Sequence, residues 1–137
     1  MNDISIERVM GALPRRVAAI VERFFRERLS SPVELHRTVS NYRNSLEGAA
    51  RDIDYIDVAL VGNVANLCHR LIDTLQGAAV VSPEQHHLVQ AAVRYFVTAE
   101  DAEGDTDSLI GFEDDRLVAV TIALELGVES ADLVPPS

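Results

Sequence analysis

The residues with the most distinctive chemistry form an acidic stretch at positions 99 to 115. Its sequence, AEDAEGDTDSLIGFEDD, contains eight carboxylates and no basic residue. Two unit charges 4 Å apart repel by about 1 kcal/mol even in water, and by more when partly buried. A folded protein must therefore place these side chains at helix N-termini, on a cation, against a basic partner or in solvent.

Helix capping is the first interpretation of this acidic stretch. Asp114 and Asp115 directly precede the apolar run from Leu117 to Leu124, so we expect them in the first turn of a helix. The helix dipole and the free N–H groups there favour carboxylates. Asp101 and Asp105 would accept hydrogen bonds from loop amides in Asx turns. This interpretation needs no ligand.

A divalent cation is the second interpretation, because acidic residues alternate from Asp101 to Asp107 as oxygen ligands do in a calcium loop. The EF-hand pattern then fails, since Phe112 stands where that loop has its bidentate Glu. The residues that would hold Mg²⁺ or Ca²⁺ are Asp101, Asp105, Asp114 and Asp115. A hydrolase-like enzyme would use such an ion to activate water. No catalytic base or substrate-binding motif accompanies them, so we expect no cofactor and no enzymatic activity.

A basic protein partner is the third interpretation, and the chain itself carries a basic region. Residues 1–51 contain nine Arg and six acids, a net charge of +3, whereas residues 52–137 contain three Arg and sixteen acids, a net charge of −13. The first long helix predicted by the sequence has four arginines that we expect to be exposed. They are Arg15, Arg16, Arg23 and Arg26. Their partner would be an acidic protein or the acidic stretch of another copy.

Charge and hydropathy exclude several classes of protein. A net charge of −10 argues against general nucleic-acid binding, which depends on clustered cations. The apolar run from Leu117 to Leu124 is far shorter than the roughly 20 residues of a membrane-spanning helix, although peripheral contact of the arginines with a membrane stays open. The N-terminus has no signal-peptide pattern, and Cys68 is the single cysteine, which together predict a cytoplasmic protein.

The elements that position these residues are predicted to be helices. Ser31-Pro32-Val33-Glu34 and Ser82-Pro83-Glu84-Gln85 are typical of helix starts with capping boxes, and Gly77 and Gly127 of helix ends. Apolar residues recur at spacings of three and four between these signals, and no strand alternation occurs. We expect one all-α domain of about five helices, orthogonal or bundle-like, over residues 1–127. Residues 128–137 would form a flexible tail.

The segment from Tyr95 to Asp115 resembles the signature of the YkvA-like family, bacterial helical domains of uncharacterised function. That signature has an aromatic residue at a helix end, two loop aspartates, a Gly-aromatic pair, and Asp-Asp before an apolar helix. The matching residues are Tyr95, Asp101, Asp105, Gly111, Phe112, Asp114 and Asp115. Ala99 and Gly104 stand where the signature has prolines, and Glu103 where it has isoleucine. The resemblance implies a helical fold and no known reaction.

The sequence therefore predicts a small helical protein that works as a non-enzymatic protein-interaction or self-association module. The alternative is a divalent-metal-dependent enzyme built on the acidic stretch.

Overall fold

Six helices account for nearly all of the described chain. The computed structural model describes residues 6–49, 58–77, 82–97 and 111–128. The helices are α1 (Ile6–Gly11), α2 (Arg15–Phe25), α3 (Pro32–Ala49), α4 (Val58–Gly77), α5 (Pro83–Val97) and α6 (Gly111–Leu126). No strand occurs within those ranges. The all-α prediction is confirmed, and the sixth helix is the short α1 that precedes Pro14.

Two serine side chains begin α3 and α5 as the sequence predicts. Ser31 Oγ accepts the Glu34 N–H at 3.2 Å, and Ser82 Oγ accepts the Gln85 N–H at 3.1 Å. The reciprocal half of the second capping box does not form. The Gln85 amide instead donates to Thr74 Oγ1 at 3.1 Å, and so connects the start of α5 to the last turns of α4.

The end of α6 is a Schellman motif centred on Gly127, whose φ is +73°. The Val128 N–H donates to the Ala123 carbonyl at 2.8 Å, and the Gly127 N–H donates to the Leu124 carbonyl at 3.3 Å. These bonds satisfy carbonyls that a helix C-terminus would otherwise leave unpaired. Val128 packs against the core, so the described chain is ordered through the first residue of the predicted tail. The rest of that tail lies outside the described residues.

The most deeply buried helix is α5, which packs against α2, α3, α4 and α6. Its buried residues are Leu88, Val89, Gln90, Ala91, Ala92, Val93, Tyr95 and Phe96. The apolar sequence of α6 predicts a central position for that helix, and α6 does contact α1, α2, α4 and α5. Nevertheless Leu124 is 69% exposed, so one side of α6 faces solvent.

Gln90 is the one polar side chain in the core of the described chain, with no exposed surface. Its Oε1 accepts the Ser30 N–H at 2.7 Å, and its Nε2 donates to the Arg28 carbonyl at 2.7 Å. One amide side chain thus satisfies a donor and an acceptor of the α2–α3 connection. His86, one turn earlier on α5, makes a further contact with this connection. Its Nε2 lies 2.8 Å from the Ser30 carbonyl oxygen.

We predict that Gln90→Leu lowers the free energy of unfolding by about 2–4 kcal/mol, because it leaves two partly buried backbone groups without partners. Urea unfolding followed by circular dichroism measures the change. Gln76→Leu is the matched control, since Gln76 is exposed on α4, and it should change stability by less than about 0.5 kcal/mol. Equal effects of the two substitutions would contradict the role assigned to Gln90.

Two glycines should respond to alanine in opposite directions. At Gly127 the positive φ strains any L-residue, so Gly127→Ala should destabilise the protein by about 1 kcal/mol. At Gly48, within α3, a Cβ would meet no atom within 4 Å, so Gly48→Ala should stabilise it by about 0.5–1 kcal/mol. The thermal unfolding midpoints of the two variants, compared with the parent protein, provide the test.

Candidate interaction groove

A surface groove runs between α1 and α2. Its first part has a volume of about 540 Å³ and is lined by Ile6, Glu7, Met10, Glu22, Phe25 and Arg26. Its second part, of about 380 Å³, is lined by Met10, Leu13, Arg15, Ala18, Ala19 and Glu22. The two parts share Met10 and Glu22. These two adjoining depressions along the helix pair are together called the α1–α2 groove.

The break at Pro14 creates this groove. α1 ends at Gly11, and Pro14, with φ −55° and ψ 148°, has an extended conformation that lets α2 begin in a new direction. Val9 and Leu13 reach the core across this corner. Ile6 and Met10, on the same short helix, are only half-buried, so they form part of an apolar floor that α2 does not cover.

Two polar contacts hold α1 in place from the neighbouring helices. Glu84 of α5 accepts the Ile6 N–H on Oε1 at 3.1 Å, which caps the first turn of α1. Arg8 donates from Nε to Glu125 of α6 at 3.0 Å, and its Nη2 makes a second contact with the same carboxylate. A helix of six residues is not stable by itself in water. The wall of the groove therefore depends on α5 and α6.

Phe25 forms the opposite part of the floor. The α2 residue before it, Phe24, is buried, whereas Phe25 is half-buried and its ring lies 5.3 Å from the His87 ring of α5, tilted by 48°. Two adjacent residues on a helix point about 100° apart and cannot both enter one core. The Phe24-Phe25 pair is therefore the sequence signal for this surface, and it places one aromatic ring at the groove.

The structure divides the four predicted interaction arginines into two pairs. All four are exposed, three of them on α2 and Arg26 directly after it, but only Arg15 and Arg26 line the groove. Arg26 donates from Nη2 to Glu22 Oε1 at 2.7 Å, one turn earlier on the helix. Viewed along the axis of α2, the positions of Arg23 and Arg16 are rotated by about 60° and 80° from that of Arg26. The Arg23 guanidinium carbon lies 5.0 Å from the centre of the Phe24 ring.

The described part of the chain does not test the predicted metal ligands. Asp101 and Asp105 lie outside the described residues. Asp114 and Asp115 belong to the first five residues of α6, in agreement with the predicted helix start, but their side chains are outside the described part. Across residues 6–49, 58–77, 82–97 and 111–128, no group of three or more His, Cys, Asp or Glu side chains could hold a metal ion. Cys68 is buried on α4, as its apolar neighbours predict.

None of the described helices combines the length and the apolar character that crossing a membrane requires. Comparison with known proteins found no matching family model, no matching curated protein and no matching solved structure. The resemblance of residues 95–115 to the YkvA-like family stays a prediction from those residues.

Proposed function

We propose that this protein is a non-enzymatic interaction module whose α1–α2 groove binds an acidic protein segment, with the acidic stretch of a second copy as the occupant. The observation that carries the proposal is the groove itself. Its floor is apolar, and the arginines Arg15 and Arg26 stand along its α2 side. This combination suits a segment that has both apolar and acidic side chains.

The dimensions of the groove support a short helical or extended segment as the occupant. Arg15 and Arg26 are eleven positions apart on α2, which corresponds to about 16 Å along the helix axis. That length accommodates roughly three turns of a partner helix or about five residues of extended chain. Binding of an amphipathic segment in an apolar groove is a common mode of recognition between proteins.

Charge favours an acidic occupant. The charged residues that line the groove are Arg15, Arg26, Glu7 and Glu22, which balance one another. Arg16 and Arg23 lie beside the groove on α2 and bring the net charge of this side of the molecule to +2. The guanidinium of Arg26 has five N–H donors, so it can retain Glu22 and still donate to a second carboxylate.

A second copy of the chain supplies a segment of the required chemistry. Residues 99–115 contain eight carboxylates and no basic residue, with the apolar residues Leu109 and Ile110 among them. Acidic side chains would meet the arginines of α2, and the apolar pair would meet the floor formed by Met10 and Phe25. The charge asymmetry between residues 1–51 and 52–137 makes such head-to-tail contact between copies attractive.

We predict that the protein self-associates at low ionic strength and that salt weakens this association. Sedimentation velocity at about 50 mM and 500 mM NaCl measures it, since exposed charge pairs are screened beyond about 10 Å at 0.1 M salt. The double substitution Arg15→Glu/Arg26→Glu should weaken association at least tenfold. Arg28→Glu/Arg37→Glu, at two exposed positions that do not line the groove, is the control with the same change in net charge. A monomer at both salt concentrations would contradict self-association.

The apolar floor should contribute independently of charge. Met10→Gln should weaken binding roughly threefold to tenfold without changing its dependence on salt, because only apolar contact area is lost. A fluorescent peptide of residues 99–115, followed by anisotropy with the full chain, measures this directly. A scrambled peptide of identical composition is the control. Equal binding of both peptides would show attraction by charge alone and would contradict a groove that recognises a segment.

A further inference from the structure

Two histidines from different helices stack face to face at the junction of α3 and α4. The rings of His36 and His69 are 4.0 Å apart between centroids, and their planes differ by 7°. His69 Nε2 also lies 3.4 Å from Ser40 Oγ, and the His69 ring is hydrogen-bonded to the backbone of His36. One imidazole of α4 therefore contacts α3 at three points.

A fixed positive charge lies beside this pair. Arg43 of α3 donates from Nη1 to Asn66 Oδ1 at 3.2 Å, and its Nη2 lies 3.3 Å from the place where a Cβ on Gly62 would be. A glycine inside a helix costs about 1 kcal/mol relative to alanine. The absence of a side chain at Gly62 thus gives the guanidinium room to lie against α4, close to the histidines.

Three titratable groups act on His69. Asp73, one turn after His69 on α4, is the acidic group, and Arg43 and His36 are the basic groups from α3. The helices α5 and α6 also pack against α4, and five of their described titratable side chains have partners elsewhere. The pairs are Glu84 with the Ile6 amide, His86 with the Ser30 carbonyl, His87 with the Phe25 ring, Arg94 with Glu27, and Glu125 with Arg8. Arg116 of α6 is not among the groups that act on His69.

The balance of these effects disfavours a proton on His69. Burial lowers the pKa of His69, and the neighbouring His36 and Arg43 lower it further. Asp73 and the hydrogen bond to the His36 backbone oppose this shift without cancelling it. The neutral imidazole is therefore the form that fits between α3 and α4.

We propose that the His36–His69 stack is a proton-sensitive contact that holds α3 against α4 when His69 is neutral and loosens when His69 gains a proton. In the protonated form a cation faces both the His36 ring and the Arg43 guanidinium. The α3–α4 contact is among the most extensive helix contacts in the described chain, so weakening it affects the packing of the whole domain.

The direction of the pH dependence follows from the lowered pKa. In the unfolded chain His69 has an ordinary histidine pKa of about 6.5. At pH values between the lower folded-state pKa and 6.5, the unfolded chain therefore binds more protons than the folded chain. Stability contributed by neutral His69 is therefore fully present above about pH 7 and falls as the pH drops through 6.5 toward the folded-state pKa. Each pKa unit between the two states changes the unfolding equilibrium constant tenfold.

Urea unfolding between pH 7.5 and 5 tests the proposal. The parent protein should lose stability over this range, and His69→Phe, which retains a flat ring without a titrating group, should lose measurably less. His36→Phe removes the second imidazole and should act in the same direction. Asn44→Ala, at an exposed position of α3, is the control and should retain the parent slope, because it removes no titrating group. Parent-like pH dependence of His69→Phe would overturn the proposal.

Imidazole NMR titration of the folded protein supplies a second readout that does not depend on the phenylalanine variants. The His69 resonance should titrate below pH 6.5 in the parent chain. In Arg43→Gln its midpoint should move upward, because one of the cations that disfavour the proton is gone. A His69 midpoint at or above 6.5 in the parent chain, or an unchanged midpoint in Arg43→Gln, would contradict the mechanism.

Discussion

The burial of α5 is the constraint on which the rest of the structure depends. The packing of α5 against four helices places the buried Gln90 amide beneath the α2–α3 connection, where it pairs with the Ser30 N–H and the Arg28 carbonyl. Gln90 satisfies both groups with one side chain. The amide thereby holds the α2–α3 connection on the core, whereas Ser31 acts locally at the start of α3.

The groove is a consequence of chain geometry more than of any special residue. Pro14 separates a six-residue helix from α2, and that short helix is held by the Glu84 carboxylate and by the Arg8–Glu125 ion pair. Surface ion pairs usually contribute less than about 1 kcal/mol, whereas an exposed apolar floor gains much more when a partner covers it. In the proposed complex, the apolar floor would therefore provide most of the binding energy, and the arginines of α2 would select an acidic occupant.

Local signals explain why the helices could be predicted from the sequence. Ser31, Ser82 and Gly127 act on backbone groups within a few residues, so their effects are legible without knowledge of the fold. Gln90 and the His36–His69 stack are different, because their partners lie 60 and 33 positions away in the chain. The presence of a glutamine in an apolar pattern does not predict which backbone carbonyl its side chain will contact. The groove likewise requires the angle between α1 and α2, which Pro14 permits but does not specify.

The helices α2 and α3, which contribute to the groove and to the His36–His69 contact, both pack against α5. Tyr42 of α3 meets Phe96 of α5 edge to face at 5.2 Å, and Phe25 of α2 meets His87 of the same helix. A looser α3 would weaken the Tyr42–Phe96 contact, which lies near the C-terminal end of α5. The groove is supported at the opposite end, by Glu84 and His87. Because a helix transmits displacement mainly as a rigid body, a change at the histidine contact reaches the groove only if α5 itself shifts. Salt would therefore act on the proposed groove contact directly, whereas protonation of His69 would reach it only through the packing of the core.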